Sequence, residues 1–203
     1  MALVKYNNRS ILNVTAFDSI PSGGLNLITT NTISSGVSSS SFTSNIDSTY
    51  DTYMFKFINI HPATDGADIV WQCNSVGGSG FNETITSTFF DAYHSEGGAG
   101  ASNRYLSDYD QAQGTAYQFM TNAIGNDNDQ CLSGEMYFFN PSSTTFVKNF
   151  MHTINTYTGD NYSENQFGAG YVNTTSAIDE IQFKINSGNM DSGKIKLYGI
   201  KDS

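Results

Sequence analysis

The strongest constraint on this chain is a two-residue rhythm in its side chains. Residues 178–185 read IDEIQFKI and residues 194–200 read KIKLYGI. In the first run Ile181, Phe183 and Ile185 share one face, with Gln182 and Lys184 on the other. In the second, Ile195, Leu197 and Gly199 oppose Lys194, Lys196 and Tyr198. Successive side chains of a strand point to opposite faces, so such alternation marks strands with one buried side. The turn between the runs makes them read as a closing β-hairpin. The same rhythm recurs in LNLITTNTI (25–33), in Tyr53, Phe55 and Phe57, and in Ala67, Ile69, Trp71 and Cys73. It returns in Leu132, Gly134, Met136 and Phe138, in Phe146, Lys148, Phe150 and His152, and in the short FGAGYVN (167–173). Ile60 is out of step with Phe57, which predicts a bulge near Ile58. The HPATDG stretch (61–66) reads as a turn that pairs the strand after it with the strand before it. The Ser-rich stretch 34–48 reads as a loop with a polar edge strand. A weak helical pattern covers 111–123. Short strands at regular spacing, with Gly and Asn turns and no interleaved helices, predict an all-β protein built as an antiparallel β-sandwich.

Composition supports this and excludes some functions. Charged residues are 14% of the chain, against about 25% in typical soluble domains. Ser, Thr, Asn and Gly must therefore supply the polar surface, as strands and turns do. The net charge of −10 disfavours nucleic-acid binding, which depends chiefly on Lys and Arg neutralising phosphates. Lys184, Lys194, Lys196 and Lys201 fall in the closing runs, where they read as a charged sheet edge that resists strand addition. No apolar run approaches the roughly 18 residues of a membrane span. No secretory signal is evident, so a reducing cytoplasm is the expected site of synthesis and Cys73 and Cys131 read as small apolar residues. Whether they pair depends on their separation in space. Asn-x-Ser/Thr triplets such as Asn82-Glu83-Thr84 then reflect composition.

Candidate chemistry is sparse. His61, His94 and His152 are far apart and lack metal-ligand spacing. Asp127 and Asp129 in GNDNDQ (125–130) alternate as calcium ligands do, but the loop lacks the glycine and the closing glutamate of an EF-hand. No metal or cofactor is expected. Glu83, Asp91, Glu96 and Asp108 lie in the region 81–131, which reads as long loops around one or two strands. Two of these four could form the carboxylate pair of a glycan hydrolase, with Asp91 and Asp108 the residues whose substitution would test it. No nucleophile elbow, phosphate loop or Cys/His signature accompanies them, so no catalytic residue is assigned. The same region is rich in rings: Phe81, Phe89, Phe90, Tyr93, Tyr105, Tyr109 and Tyr117. Rings of this density serve subunit interfaces or stack on sugars. Tyr105 and Tyr109 are the candidate ligand-binding residues for a glycan.

Several stretches together carry a resemblance. They are YDTYMFKFINIHPATDGADIVWQ, GEMYFFNP and IDEIQFKINSGNMDSGKIKLYGI. Their marks are Pro62-Ala63-Thr64-Asp65, Ser187-Gly188-Asn189, Ser192-Gly193 and Leu197-Tyr198-Gly199-Ile200. In this combination, over roughly residues 48–201, the chain resembles a group of tailed-bacteriophage virion structural proteins. The resemblance implies a jelly-roll-like sandwich at 48–203. Residues 1–47 would form an N-terminal strand or arm region, packed on the same domain or on a neighbour. It further implies a virion location, as capsid decoration, head fibre or tail-fibre component, and contacts with other virion proteins. A homo-oligomer is implied as well, with a trimer as the suggested assembly. It implies no catalytic site, because the shared residues are turn and core residues. A lectin-like module recognising host glycan through the 81–130 loops is the alternative expectation.

Overall fold

A computed structural model describes residues 24–201, and of the expected strand or arm region at 1–47 the first 23 residues lie outside them. Every regular element among the described residues is a strand. The elements are β1 (Leu25–Val37), β2 (Ser40–Phe42), β3 (Thr52–Pro62), β4 (Ile69–Ser75), β5 (Ile85–Ser95), β6 (Ala101–Tyr105) and β7 (Ala112–Gly114). They continue with β8 (Gln118–Phe119), β9 (Leu132–Phe139), β10 (Lys148–Tyr157), β11 (Tyr162–Val172), β12 (Ile178–Ile185) and β13 (Met190–Ile200).

The strands form two antiparallel sheets. The large one runs β1-β13-β3-β9-β10-β11-β5-β6, with β7 beside β5; the small one runs β2-β12-β4-β8. Four ladders are nested in the sequence: β1 with β13, β2 with β12, β3 with β9 and β4 with β8. This is one long two-stranded ribbon, rolled so that alternate pairs fall in opposite sheets. That is the jelly-roll plan. Two insertions depart from it. β5 to β7 enter between β4 and β8, β10 and β11 enter between β9 and β12, and together they widen the large sheet beyond β9.

The alternating apolar residues form the layer between the sheets. Tyr53, Phe55, Phe57, Phe138, Phe150, Ile195 and Leu197 of the large sheet meet Ile69, Trp71, Cys73, Ile181 and Phe183 of the small one. Phe183 sits edge-on to Phe42, Phe55 and Phe57, and Trp71 edge-on to Phe150 at 4.8 Å, the favoured geometry for ring pairs. The expected bulge in β3 is present: the register with β9 shifts between Phe57 and Ile60, Asn59 has φ 49°, and Ile60 returns to the core.

Four expectations are corrected. β12 and β13 do not form a hairpin; they lie in different sheets and face each other across the core. β3 and β4 likewise cross between sheets rather than pairing. β13 is flanked by β1 and β3, and β12 by β2 and β4, so their lysines do not guard a sheet edge. The region 81–131 holds an 11-residue strand, β5, and three short ones, and 111–123 carries β7 and β8 instead of a helix.

The two crossovers are clamped together. Ala63 N–H donates to the Asn189 carbonyl at 2.9 Å, and Asn186 N–H donates to the Asp68 carbonyl at 2.9 Å. Asp68 N–H donates to Asn186 Oδ1 at 2.9 Å, while Asn186 Nδ2 donates to Asp68 Oδ2 at 2.8 Å. Gly188, at φ 87°, leaves room for the Thr64 hydroxyl, which a Cβ would meet. The Pro-Ala-Thr-Asp and Ser-Gly-Asn motifs are thus one corner of the sandwich.

Candidate functional site

The outer face of the large sheet carries an apolar row that is exposed in part. Neighbouring strands place Leu27 beside Tyr198, Tyr198 beside Met54, Met54 beside Tyr137, Tyr137 beside Met151 and Met151 beside Ala169. Met54 is buried by its neighbours, whereas Leu27 is 55% and Met151 49% exposed. Next to the row lies a shallow trough of about 470 Å³, floored by Ala169 and Gly170 and walled by Phe139, Met151 and Tyr171. A second apolar group sits towards the β6 edge. Phe90 stacks on Phe167 at 4.9 Å and stands beside Tyr105 across the β5–β6 ladder. Phe90 is 48% and Tyr105 58% exposed. Large contiguous apolar patches are uncommon on the surfaces of folded monomers.

The inner face of the inserted strands is polar. Asp91 is fully buried and takes both Arg104 Nε, at 3.0 Å, and Arg104 Nη2. The same Nη2 donates to Glu164 Oε1 at 3.0 Å. Glu164 Oε2 accepts from Gln166 Nε2 at 3.0 Å and from Asn122 Nδ2 at 3.3 Å. Tyr109 donates its hydroxyl to Asn122 Oδ1 at 2.8 Å. Burial raises the Glu164 carboxyl above its usual range, while Arg104 pulls it back down. Burial also pushes Asp68 up to about 6, against the backbone N–H of Ala123 that donates to its Oδ1 at 2.7 Å. Three buried carboxylates with one guanidinium joined to two of them make a network that sets geometry; a buried pair of this kind contributes little stability of its own. Lys148, also buried, donates to the Phe146 and Thr174 carbonyls at 3.0 and 3.2 Å. His152 is buried, with neither ring nitrogen partnered, and burial lowers its pKa to about 3.

The residues singled out from sequence therefore separate. Tyr105 is exposed and donates to Asp110, whereas Tyr109 packs between Phe89 and Phe119, so the two do not form one sugar platform. Asp91 is sealed behind Arg104 and Asp108 lies exposed in the turn after β6, so they do not face each other as an acid–base pair. Glu83 Oε1 accepts from the Ser75 N–H, and Glu96 Oε2 from the Tyr157 hydroxyl. Phe89 is in the interior, Phe81 and Tyr93 are half-buried, and Tyr117 lies under the Lys184 ammonium at 3.9 Å. His61 contacts the Asp127 carbonyl at 3.2 Å and His94 the Ser95 carbonyl at 2.8 Å. Among the described residues no group of three or more His, Cys, Asp or Glu is placed to hold a metal ion. Cys73 and Cys131 are both free thiols. Arg104, Glu164 and Phe167 escaped sequence reasoning. Arg104 and Glu164 come together only through the β5–β6 and β5–β11 ladders, 60 residues apart in the chain. Comparison of the chain with protein-family models, with curated proteins and with solved structures returns no match.

Proposed function

We propose that this protein is a non-enzymatic structural component of a tailed-bacteriophage particle, serving as capsid decoration, head fibre or tail appendage through subunit contacts. The observation that carries the reading is the apolar row Leu27–Tyr198–Met54–Tyr137–Met151, spread over five adjacent strands on the outer face. A flat sheet face with this content suits a neighbouring protein, which removes it from water at about 25 cal/mol per Å². The jelly roll supports the reading as a fold that viral capsid proteins use, although lectins and cupins share it. Carboxylates tied up in ion pairs and backbone contacts agree with a building block. The test is proteomics of purified particles together with the variant Met151→Glu. The polypeptide should co-purify with particles, and the variant should be lost from them while its circular dichroism stays unchanged. Particles without the polypeptide, or full incorporation of the variant, would overturn the proposal. The lectin alternative rests on the exposed rings of Tyr105 and Phe90, with the half-buried Phe167 stacked on the latter. Host-cell binding by the isolated protein, lost in Tyr105→Ala, would favour it.

A further inference from the structure

The described residues include seven cations, and their placement is uneven. Arg104 is taken up by Asp91 and Glu164, Lys148 is buried, and Lys184 sits on the Tyr117 ring. Lys56, Lys194 and Lys196 lie on the outer face of β3 and β13, beside the apolar row, and Lys201 follows directly after β13. Lys196 stands directly across the ladder from Lys56. Like charges in that position repel, and the Glu135 carboxylate across the next ladder offsets part of that repulsion. Glu135 follows Lys56 in the same row, but it accepts the Tyr137 hydroxyl, and no ion pair among the described residues involves any of these lysines.

The opposite charge gathers at the end of the sandwich where β10 turns into β11. The Tyr157 hydroxyl donates to Glu96 at 2.9 Å, and Glu96, Asp129 and Asp127 all act to raise that phenol above its usual range. Asp65 joins them, accepting from the Asn126 N–H at 3.3 Å. We propose that the Lys56–Lys194–Lys196 strip is the docking site for the acidic Asp65–Glu96–Asp127–Asp129 end of a second copy of this chain. The inference rests on the outer face being a subunit contact, as above, and names the partner and the element that fixes its register. Charge complementarity selects the occupant. The chain has a net charge of −10, and among the described residues Lys56, Lys194 and Lys196 gather in this one strip, so a second copy offers abundant acid to it. The strip also adjoins the apolar row, which a protein partner covers and a soluble anionic polymer leaves in water. Strip and acidic end pair either reciprocally about a two-fold axis, which closes as a dimer, or head-to-tail, which propagates to a ring or a filament.

Sedimentation velocity at about 20 mM and about 500 mM salt tests this, since exposed charge pairs are screened at the higher value. Wild type should associate at low salt and dissociate at high salt. Lys56→Glu with Lys196→Glu should weaken association at least about tenfold, and so should Asp127→Lys with Asp129→Lys. An equimolar mixture of the two variants should associate again. Lys56, Asp127 and Asp129 are exposed and Lys196 is half-buried, and unchanged circular dichroism confirms folding. A wild type that stays monomeric at low salt, or reversal variants that associate as wild type does, would overturn the proposal. Association lost in Met151→Glu but kept in the lysine variants would spare the contact face and remove the strip. Failure of the mixture, with wild type instead binding dextran sulfate, would assign the strip to an anionic polymer and overturn the second copy.

Discussion

At the scale of single residues, His152 gives the fold a defined acid sensitivity. Its ring is enclosed by Phe89 and by Gly168, where a Cβ would collide with Cε1. The unfolded chain takes up a proton here near pH 6.5, and the folded chain does not until about pH 3. Stability is therefore present above the upper value and lost as pH falls through this window, by about 2 kcal/mol between pH 7 and about pH 5. Asp68 acts in the other direction. Its folded pKa of about 6 exceeds the ordinary 3.8, so the ionised form is a liability at neutral pH that acidification relieves by about 1 kcal/mol over the same range. Urea unfolding at the two pH values should show His152→Leu removing a pH-dependent loss of about 2 kcal/mol relative to wild type. An identical pH dependence in the variant would show that the histidine is not held neutral.

At the scale of strands and their connections, the inserted unit hangs on Arg104. β6 is a short exposed strand at the sheet edge, and its arginine reaches under β5 to β11. Arg104→Ala leaves Asp91 and Glu164 buried without their cation, which costs about 3 kcal/mol. Hydrogen exchange should speed up in β5 and β6 while the β1–β13 ladder keeps its protection; uniform loosening of both would contradict this. The same strands show what the sequence could and could not convey. Alternation named the inward side chains of β3, β4, β9, β10, β12 and β13, because burial on one face is a local, period-two property. It did not say which sheet each strand joins. Ile181 and Phe183 look alike in sequence whether they line the same sheet as Ile195 and Leu197 or the one facing it. The Asp68–Asn186 clamp that holds the two crossovers joins partners 118 residues apart, beyond the reach of a local pattern. β5 was hidden for another reason: its inner face mixes Ile85 and Phe89 with Ser87, Asp91 and Ser95, so the apolar alternation is broken. The outer row was half legible, with Tyr137 and Met151 placed opposite the core side chains. Its continuity needs the ladder registers.

At the scale of the whole molecule, the nested ribbon sets how the chain must fold. Its outermost ladder joins β1 to β13, the first and last strands of the described residues, and its innermost joins β4 to β8. Most contacts join residues far apart in the chain, and topologies of this sort fold in about milliseconds to seconds rather than microseconds. Stopped-flow refolding followed by Trp71 fluorescence, a core reporter, should give a main phase in that range; a microsecond phase with full amplitude would be incompatible with the nesting. The outermost ladder has one more result. Lys201 N–H donates to the Gly24 carbonyl at 2.9 Å, so the polypeptide enters and leaves the sandwich at a single corner. A payload grafted ahead of Gly24 and another grafted behind Lys201 would depart from that shared point, leaving the far loops free for a different cargo.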